Sequence, residues 1–286
     1  MNYSKKIDTL VPDIYNLLDN LNHNKDLNIT KEIADEFGSN IAKALIHWAS
    51  PRKQNKGIRM SNIGKPLRQL WYDIKLESEP PKPHPSVQIK FLYGHLLEEV
   101  LLMLVKLAGH TIEDKQKEIS VSGVKGHIDC VIDGEVVDIK SASKFAFKKF
   151  SDGTLGENDN FGYLSQLAGY EEALKKNNGG FLVINKETGE LCLFKPDDID
   201  KPNIKNKIKN IKHSLKLDSP PERCYNPIPE GAKGNMKLPN ICTYCPHKFI
   251  CHEDANDGEG LRVFKYSKGQ IYFTKIMSLP KVQEIT

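Results

Sequence analysis

The chain has no apolar run near the roughly 20 residues that span a bilayer, which excludes a helical membrane span and leads us to expect a soluble protein. An apolar leader is missing too. Met1-Asn2-Tyr3-Ser4-Lys5-Lys6 runs into a stretch carrying Asp8 and Asp13, so a cytoplasmic chain with reduced thiols is expected. Excess charge of one sign is also lacking. With 41 Lys and Arg against 37 Asp and Glu, the net +4 is too mild to mark a nucleic-acid partner by composition alone. Neither an internal repeat nor a low-complexity tract is apparent, which argues against solenoids and long disordered linkers. A length of 286 residues leaves room for one large core or two modest ones.

What is present is concentrated in a few segments. Val131-Ile132 and Glu135-Val136 flank Asp133-Gly134, a dipeptide that favours a two-residue hairpin turn, so opposed partners carry residue numbers of constant sum. Asp129 then faces Asp138. Side chains alternate along a strand, which puts Asp138 and Lys140 on one face and turns Val137 and Ile139 to the core. Like charges opposed on neighbouring strands are unfavourable, and a bound divalent cation reverses the sign of that energy. A solvated hairpin face with an ion pair is the plainer alternative.

Two helices bracket this hairpin. The segment from Phe91 to about Leu107 is apolar and helical in pattern, with His95, Glu98 and Glu99 at neighbour spacing on one side. Downstream, Gln166 and Tyr170 lie four residues apart on an expected helix and share a face. Their amide and phenol can hydrogen-bond a phosphate without adding negative charge.

Six cysteines are few, and four cluster late: Cys224, Cys242, Cys245 and Cys251. In a reducing compartment such clustering reads as metal ligation rather than disulfide pairing. Four thiolates suit a [4Fe-4S] cluster or tetrahedral Zn²⁺, and spacing does not decide between them. His247 and His252 are alternative nitrogen ligands. Cys130 and Cys192 sit in apolar strand patterns and read as small core residues.

Taken in order, Gly126-His127-Ile128-Asp129 followed by Asp138-Ile139-Lys140 resembles the D…(D/E)-x-K core of the PD-(D/E)XK nuclease superfamily. Phe91 to Glu99 and the Gln166/Tyr170 pair resemble the flanking motifs of its RecB-type members, and Cys242 to Cys251 resembles the C-terminal triad of the iron-sulfur nucleases. The resemblance covers roughly residues 59–251 and is similar in layout to the compact iron-sulfur exonucleases that phages encode and to CRISPR adaptation nucleases. It implies a metal-dependent deoxyribonuclease, most simply an exonuclease. A structure-specific endonuclease and a non-catalytic DNA-end-binding module are the alternatives. Asp129, Asp138 and the carbonyl of Ile139, with His95 and Glu98, would hold Mg²⁺ or Mn²⁺ at the scissile phosphate. Lys140 would orient the attacking water or meet developing charge, and Gln166 and Tyr170 would position the strand. It also implies a recombination or replication protein as partner. Relatives take their fourth cysteine from a segment that Arg59–Tyr72 resembles; that segment lacks cysteine here, and Cys224 is the natural substitute.

The expected organisation is α/β: a helical N-terminal region over residues 1–58, a restriction-endonuclease-like core over 59–218 with a mixed central sheet flanked by helices, and a loop-rich cysteine region over 219–286. Ile29, Ile33, Phe37, Ile41 and Leu45 carry a helical period in the first part. Glu79 to Pro85 reads as a loop. Basic residues bunch between Lys201 and Lys212 opposite an apolar stripe of Ile204, Ile208 and Ile211; that lysine ridge either tracks phosphates or is simply solvated. Arg52, Lys53, Lys56 and Arg59, with Lys144, Lys148 and Lys149, are further candidates for backbone contacts.

Overall fold

A computed structural model describes residues 5–51, 56–76, 84–157 and 159–285; Arg52, Lys53 and most of the expected Glu79–Pro85 loop lie outside them. The chain divides into two units, one from Met1–Gly64 with Pro83–Lys209 and one from Lys65–Lys82 with Asn210–Thr286. This division differs from boundaries at 58 and 218, because residues 65–82 join the cysteine-bearing unit.

The first unit opens with α1 (Leu10–Asn22) and α2 (Lys31–Ala49). Thr30 caps α2, its Oγ1 accepting from Ile33 N at 3.4 Å. The apolar stripe read from the sequence is there, yet no α2 residue is fully buried and Leu45 is exposed. Beyond α3 (Leu67–Lys75) of the other unit comes α4 (Pro85–Leu107). It begins six residues before Phe91, because Pro85 at the first position has the φ a helix needs and no N–H to satisfy.

The strands follow in order: β1 (Ile112–Glu113), β2 (Glu118–Val121), β3 (Val124–His127), β4 (Cys130–Ile132) and β5 (Glu135–Ala142). After α5 (Lys144–Ser151) and α6 (Tyr163–Leu174) come β6 (Gly180–Asn185), β7 (Leu191–Phe194) and α7 (Ile204–Ser214). β2 and β3 form a separate hairpin; the central sheet runs β1-β4-β5-β6-β7. It is mixed, since β5 and β6 are parallel and the other neighbours antiparallel. A parallel pair needs a crossover, and α5 and α6 supply it. This is the restriction-endonuclease-like α/β architecture.

One face of the sheet packs Cys130, Ile132, Val137, Ile139 and Leu182 against Leu10 and Ile14 of α1 and Leu101, Leu102 and Val105 of α4. Phe181 of the opposite face lies among Phe150, Tyr163 and Phe194. The turn end of β4 is tied down by buried His110, whose Nδ1 lies 2.5 Å from Asp133 Oδ2 and whose Nε2 lies 3.2 Å from Asp13.

The expected lysine ridge is partly spent inside its own unit. Lys201 pairs with Glu171 at 2.7 Å, Lys205 with Glu172 at 2.6 Å, and Lys207 donates to Ser165 Oγ at 2.9 Å. Ile204 and Ile208 are buried as their period required.

The second unit corrects the expectation of a loop-rich tail. Besides the short helices α8 (Asn240–Thr243), α9 (Lys248–Cys251) and α10 (Ala255–Gly258), it holds β8 (Ile228–Glu230), β9 (Asn235–Lys237), β10 (Arg262–Tyr266), β11 (Gly269–Lys275) and β12 (Glu284–Ile285). They form an antiparallel sheet in the order β12-β10-β11-β9-β8. Phe264 and Phe273, both fully buried, meet edge to face at 5.4 Å. Among the described residues no helix is long and apolar enough to cross a membrane.

Candidate active site

The Asp133-Gly134 turn sets the geometry of the site. Both residues adopt positive φ, +48° and +86°, the pairing of a tight hairpin turn. Cys130 therefore opposes Val137, Val131 opposes Val136 and Ile132 opposes Glu135, a constant sum of 267 that puts Asp129 against Asp138 one step beyond the ladder. Asp129 Oδ2 accepts from Ile139 N at 2.7 Å, which fixes its carboxylate on the edge of β5.

Asp138 is buried, and apart from an ion pair with Lys140 Nζ neither carboxylate oxygen has a hydrogen-bond partner among the described residues. A buried, ionised and under-satisfied carboxylate is costly unless something positive completes it. Burial, then the Asp138 charge, holds the Asp129 carboxyl well above the usual carboxylate range. Glu98 of α4 is also raised, by burial and by the neighbouring Glu99, while Gln116 Nε2 donates to its Oε1 at 2.8 Å. Burial works against the Lys140 ammonium, but Asp138 and Asp129 outweigh it and keep its pKa above that of an ordinary lysine.

Helix α6, the second of the two between β5 and β6, completes this side of the site. Asp159 caps α6 by accepting from the N–H groups of Tyr163 and Leu164 at 2.8 and 2.9 Å. Gln166 Nε2 donates to Tyr170 Oη at 2.6 Å, so the two residues act as one unit. Burial and the charge of Asp138 raise the Tyr170 phenol, leaving it protonated. α6 approaches closely because Gly169 has no side chain: a Cβ there would lie 2.2 Å from Met60 Sδ.

Tyr163 was not singled out from the sequence. Its ring sits under the Lys140 ammonium, 5.3 Å from Nζ to centroid. The signal was available: 163, 166 and 170 are spaced as one helix face. His95, one turn before Glu98, meets His47 of α2 edge-on at 5.9 Å. On the same turn of α4, Gly94 faces β5, where a Cβ would stand 3.7 Å from Ser141 Oγ, an ordinary contact.

A divalent cation fits this donor set. Among the described residues no three His, Cys, Asp or Glu side chains are grouped to hold a metal ion. A hard octahedral cation needs only one or two carboxylates and takes the rest of its oxygens from water and substrate, and Asp129 with the under-satisfied Asp138 supplies that many.

In the other unit, Cys224, Cys242, Cys245 and Cys251 line one cavity with Arg68, Tyr72 and His252. Burial, then the other three cysteines, pushes the Cys242 thiol up to about 12. The four thiols line this cavity without being grouped to hold a metal ion; only their chemistry, four sulfurs in one place, is that of a tetrathiolate centre. The segment that lacks a cysteine supplies Arg68 instead, whose Nε donates to Cys251 Sγ at 3.2 Å. Arg223 Nε donates to the Cys251 carbonyl at 2.9 Å. His247 is engaged elsewhere, its Nε2 lying 2.7 Å from Asp73 Oδ1, with Lys65 on the other Asp73 oxygen at 2.7 Å. That contact removes Nε2 of His247 from the candidate ligands. Buried His252 is lowered to about 4 by burial and by Arg223.

The family model of the PD-(D/E)XK nuclease superfamily matches residues 15–252. The chain belongs to that superfamily. Among solved structures it is similar to SSO0001, at 17% identity over 73% of this chain and 93% of that one with a TM-score of 0.39. It is also similar to the alkaline exonuclease LHK-Exo from Laribacter hongkongensis, at 11% identity over 54% and 89% with a TM-score of 0.35. No curated protein matches the chain.

Proposed function

We propose that this member of the nuclease superfamily is a divalent-metal-dependent deoxyribonuclease that hydrolyses phosphodiester bonds from DNA ends. The observation that carries the proposal is the buried Asp138 carboxylate, ion-paired with Lys140 and opposed by Asp129. A fold seldom keeps such a cluster without use for it. Asp129, Asp138 and the Ile139 carbonyl, assisted by Glu98 and His95, would hold Mg²⁺ or Mn²⁺, which when bound polarises the phosphate and makes a nucleophile of water at neutral pH.

The chain's own groups do the rest. Lys140 stays protonated and presents its charge where negative charge builds on the phosphoryl oxygens. Because Asp138 holds Nζ on one side and the Tyr163 ring on another, the ammonium is oriented before substrate arrives. Tyr170 keeps its proton and, joined to Gln166, offers neutral polar groups to the strand beside the carboxylates.

The four cysteines we assign to a [4Fe-4S] cluster, with Zn²⁺ as the competing occupant; iron and zinc content and visible absorption of anaerobically purified protein separate the two. Its role is structural, pinning the ends of α9 and the 221–224 segment to α3 within one unit.

The test is cleavage of end-labelled linear and covalently closed DNA with Mg²⁺, Mn²⁺ or EDTA, using Lys140→Ala as control. We expect metal-dependent loss of linear DNA only, with cleavage abolished in Lys140→Ala and DNA binding largely retained. Attack on circles would make the protein an endonuclease. Unchanged turnover in Lys140→Ala would overturn the assignment, and binding without cleavage would leave a DNA-end-binding module.

A further inference from the structure

Phe161 stands just before α6 with 69% of its surface exposed. Its ring stacks on Tyr163, with centroids 5.5 Å apart and planes 27° from parallel. The Tyr163 ring in turn lies 5.3 Å from the Lys140 ammonium, and Lys140 is paired with Asp138. One continuous series of contacts therefore leads from solvent to the catalytic charges: exposed ring, half-buried ring, ammonium, carboxylate.

The core does not account for Phe161. Tyr163 already packs against Phe150 at 5.9 Å and Phe181 at 6.2 Å, and those rings form the buried cluster. Phe161 adds a flat apolar face directed to water, which costs free energy wherever it is not covered. Asp159 fixes this stretch by capping α6 through the N–H groups of Tyr163 and Leu164, so the platform is built on an anchored turn.

We infer that Phe161, backed by Tyr163, is a stacking platform for an unpaired nucleobase of the DNA strand whose phosphate meets Lys140. The inference presupposes the hydrolytic function proposed above. A flat aromatic face beside a cation is the arrangement that takes single-stranded nucleic acid without regard to sequence, since every base has a π-face. Charge complementarity points the same way, because the phosphate goes to Lys140 and the base to the adjoining rings. A base inside a duplex is stacked on both faces and cannot lie on Phe161 unless it is unstacked first. The platform thus selects a single strand or a frayed end over an intact duplex and holds its terminal nucleotides next to the carboxylates.

The test measures binding and cleavage separately. Binding of a fluorescent single-stranded oligonucleotide and its blunt duplex is measured in EDTA for wild type, Phe161→Leu and Phe161→Trp, with melting temperatures as a check on folding. The exposed position makes both variants foldable. We expect Phe161→Leu to weaken single-strand binding roughly tenfold, Phe161→Trp to restore it, and the duplex to be little affected. Moving one abasic residue along the strand should find a position where wild type and Phe161→Leu bind alike, identifying the base that stacks. Equal binding of the intact strand by wild type and Phe161→Leu overturns the platform. A wild type that binds in a Phe161-dependent manner yet cleaves no DNA with Mg²⁺ or Mn²⁺ sustains the platform and overturns the hydrolytic function; active cleavage with Phe161-independent binding does the reverse.

Discussion

The two candidate centres are both clusters of groups that repel one another when ionised, but they are assembled in opposite ways. The carboxylates of the first unit are fixed by sheet register: Asp129 and Asp138 meet because the Asp133-Gly134 turn admits no other pairing, and the ladder would hold them there whether or not they were charged. The cysteines of the second unit stand on short helices and loops, held by side-chain bonds such as Arg68 to Cys251 and Arg223 to the Cys251 carbonyl. In the first case the fold supports the site at a cost to itself. In the second, on the function proposed above, a bound metal would support the fold. Removing one ligand should therefore have opposite effects on stability at the two centres.

The largest effect is expected at the cysteines. If the cysteines hold the metal proposed for them, Cys245→Ser should lose it and lower the melting temperature by about 10 °C, since metal affinity in a loop-built site is folding free energy. Far-ultraviolet signal should fall in the second unit's contribution before cleavage chemistry changes. A Cys245→Ser protein that melts with the wild type would break the comparison and make the centre a redox or recognition device rather than a staple.

Asp129→Asn should act in the other direction. Asparagine can still accept from Ile139 N, while the buried charge disfavoured by desolvation and by Asp138 is gone. We expect cleavage to fall by about a thousandfold or more, and the metal-free protein to gain about 1–2 kcal/mol, or a few degrees by thermal melting. Mg²⁺ should raise the melting temperature of the wild type and leave that of Asp129→Asn nearly unmoved. A destabilised Asp129→Asn protein would mean that the carboxylate is satisfied without a cation.

How much of this was legible beforehand follows the same division. Register is a local property, so the Asp133-Gly134 turn was enough to oppose Asp129 and Asp138, and the 3.6-residue period was enough to put Gln166 and Tyr170 on one face. The same period reached Tyr163, but a tyrosine at the start of a helix has no chemistry until a lysine is seen above it. The second unit reads as loops from its cysteines and prolines, yet Arg262–Tyr266 and Gly269–Lys275 are rich in β-branched and aromatic residues on either side of a short turn, and they pair as a hairpin with Phe264 and Phe273 at its centre. Arg68 and Cys251 are 183 residues apart, and nothing local in either stretch announces the other. The clamp of Asp13, His110 and Asp133 escaped for that reason as well.

The smallest effect sharpens the comparison by pH alone. In the metal-free protein the carboxyls of Asp129 and Glu98 lie above their ordinary range, each chiefly through burial. A carboxyl raised on folding binds its proton at higher pH in the native than in the unfolded chain, so stability falls as pH rises through the interval between the two values and is flat above it. Acidifying the wild type from neutrality toward pH 5 should therefore raise its melting temperature in EDTA by roughly 2–4 °C, and Asp129→Asn should cut most of that slope. Below about pH 4 the sign reverses, because Asp8, held low by Lys195, and Asp13, held low by Lys5, lose their stabilising charge on protonation. Saturating Mg²⁺ should abolish the slope near neutrality, since the cation takes the place of the proton. A wild type whose stability in EDTA only declines on acidification from pH 7 would place the strain somewhere other than the hairpin.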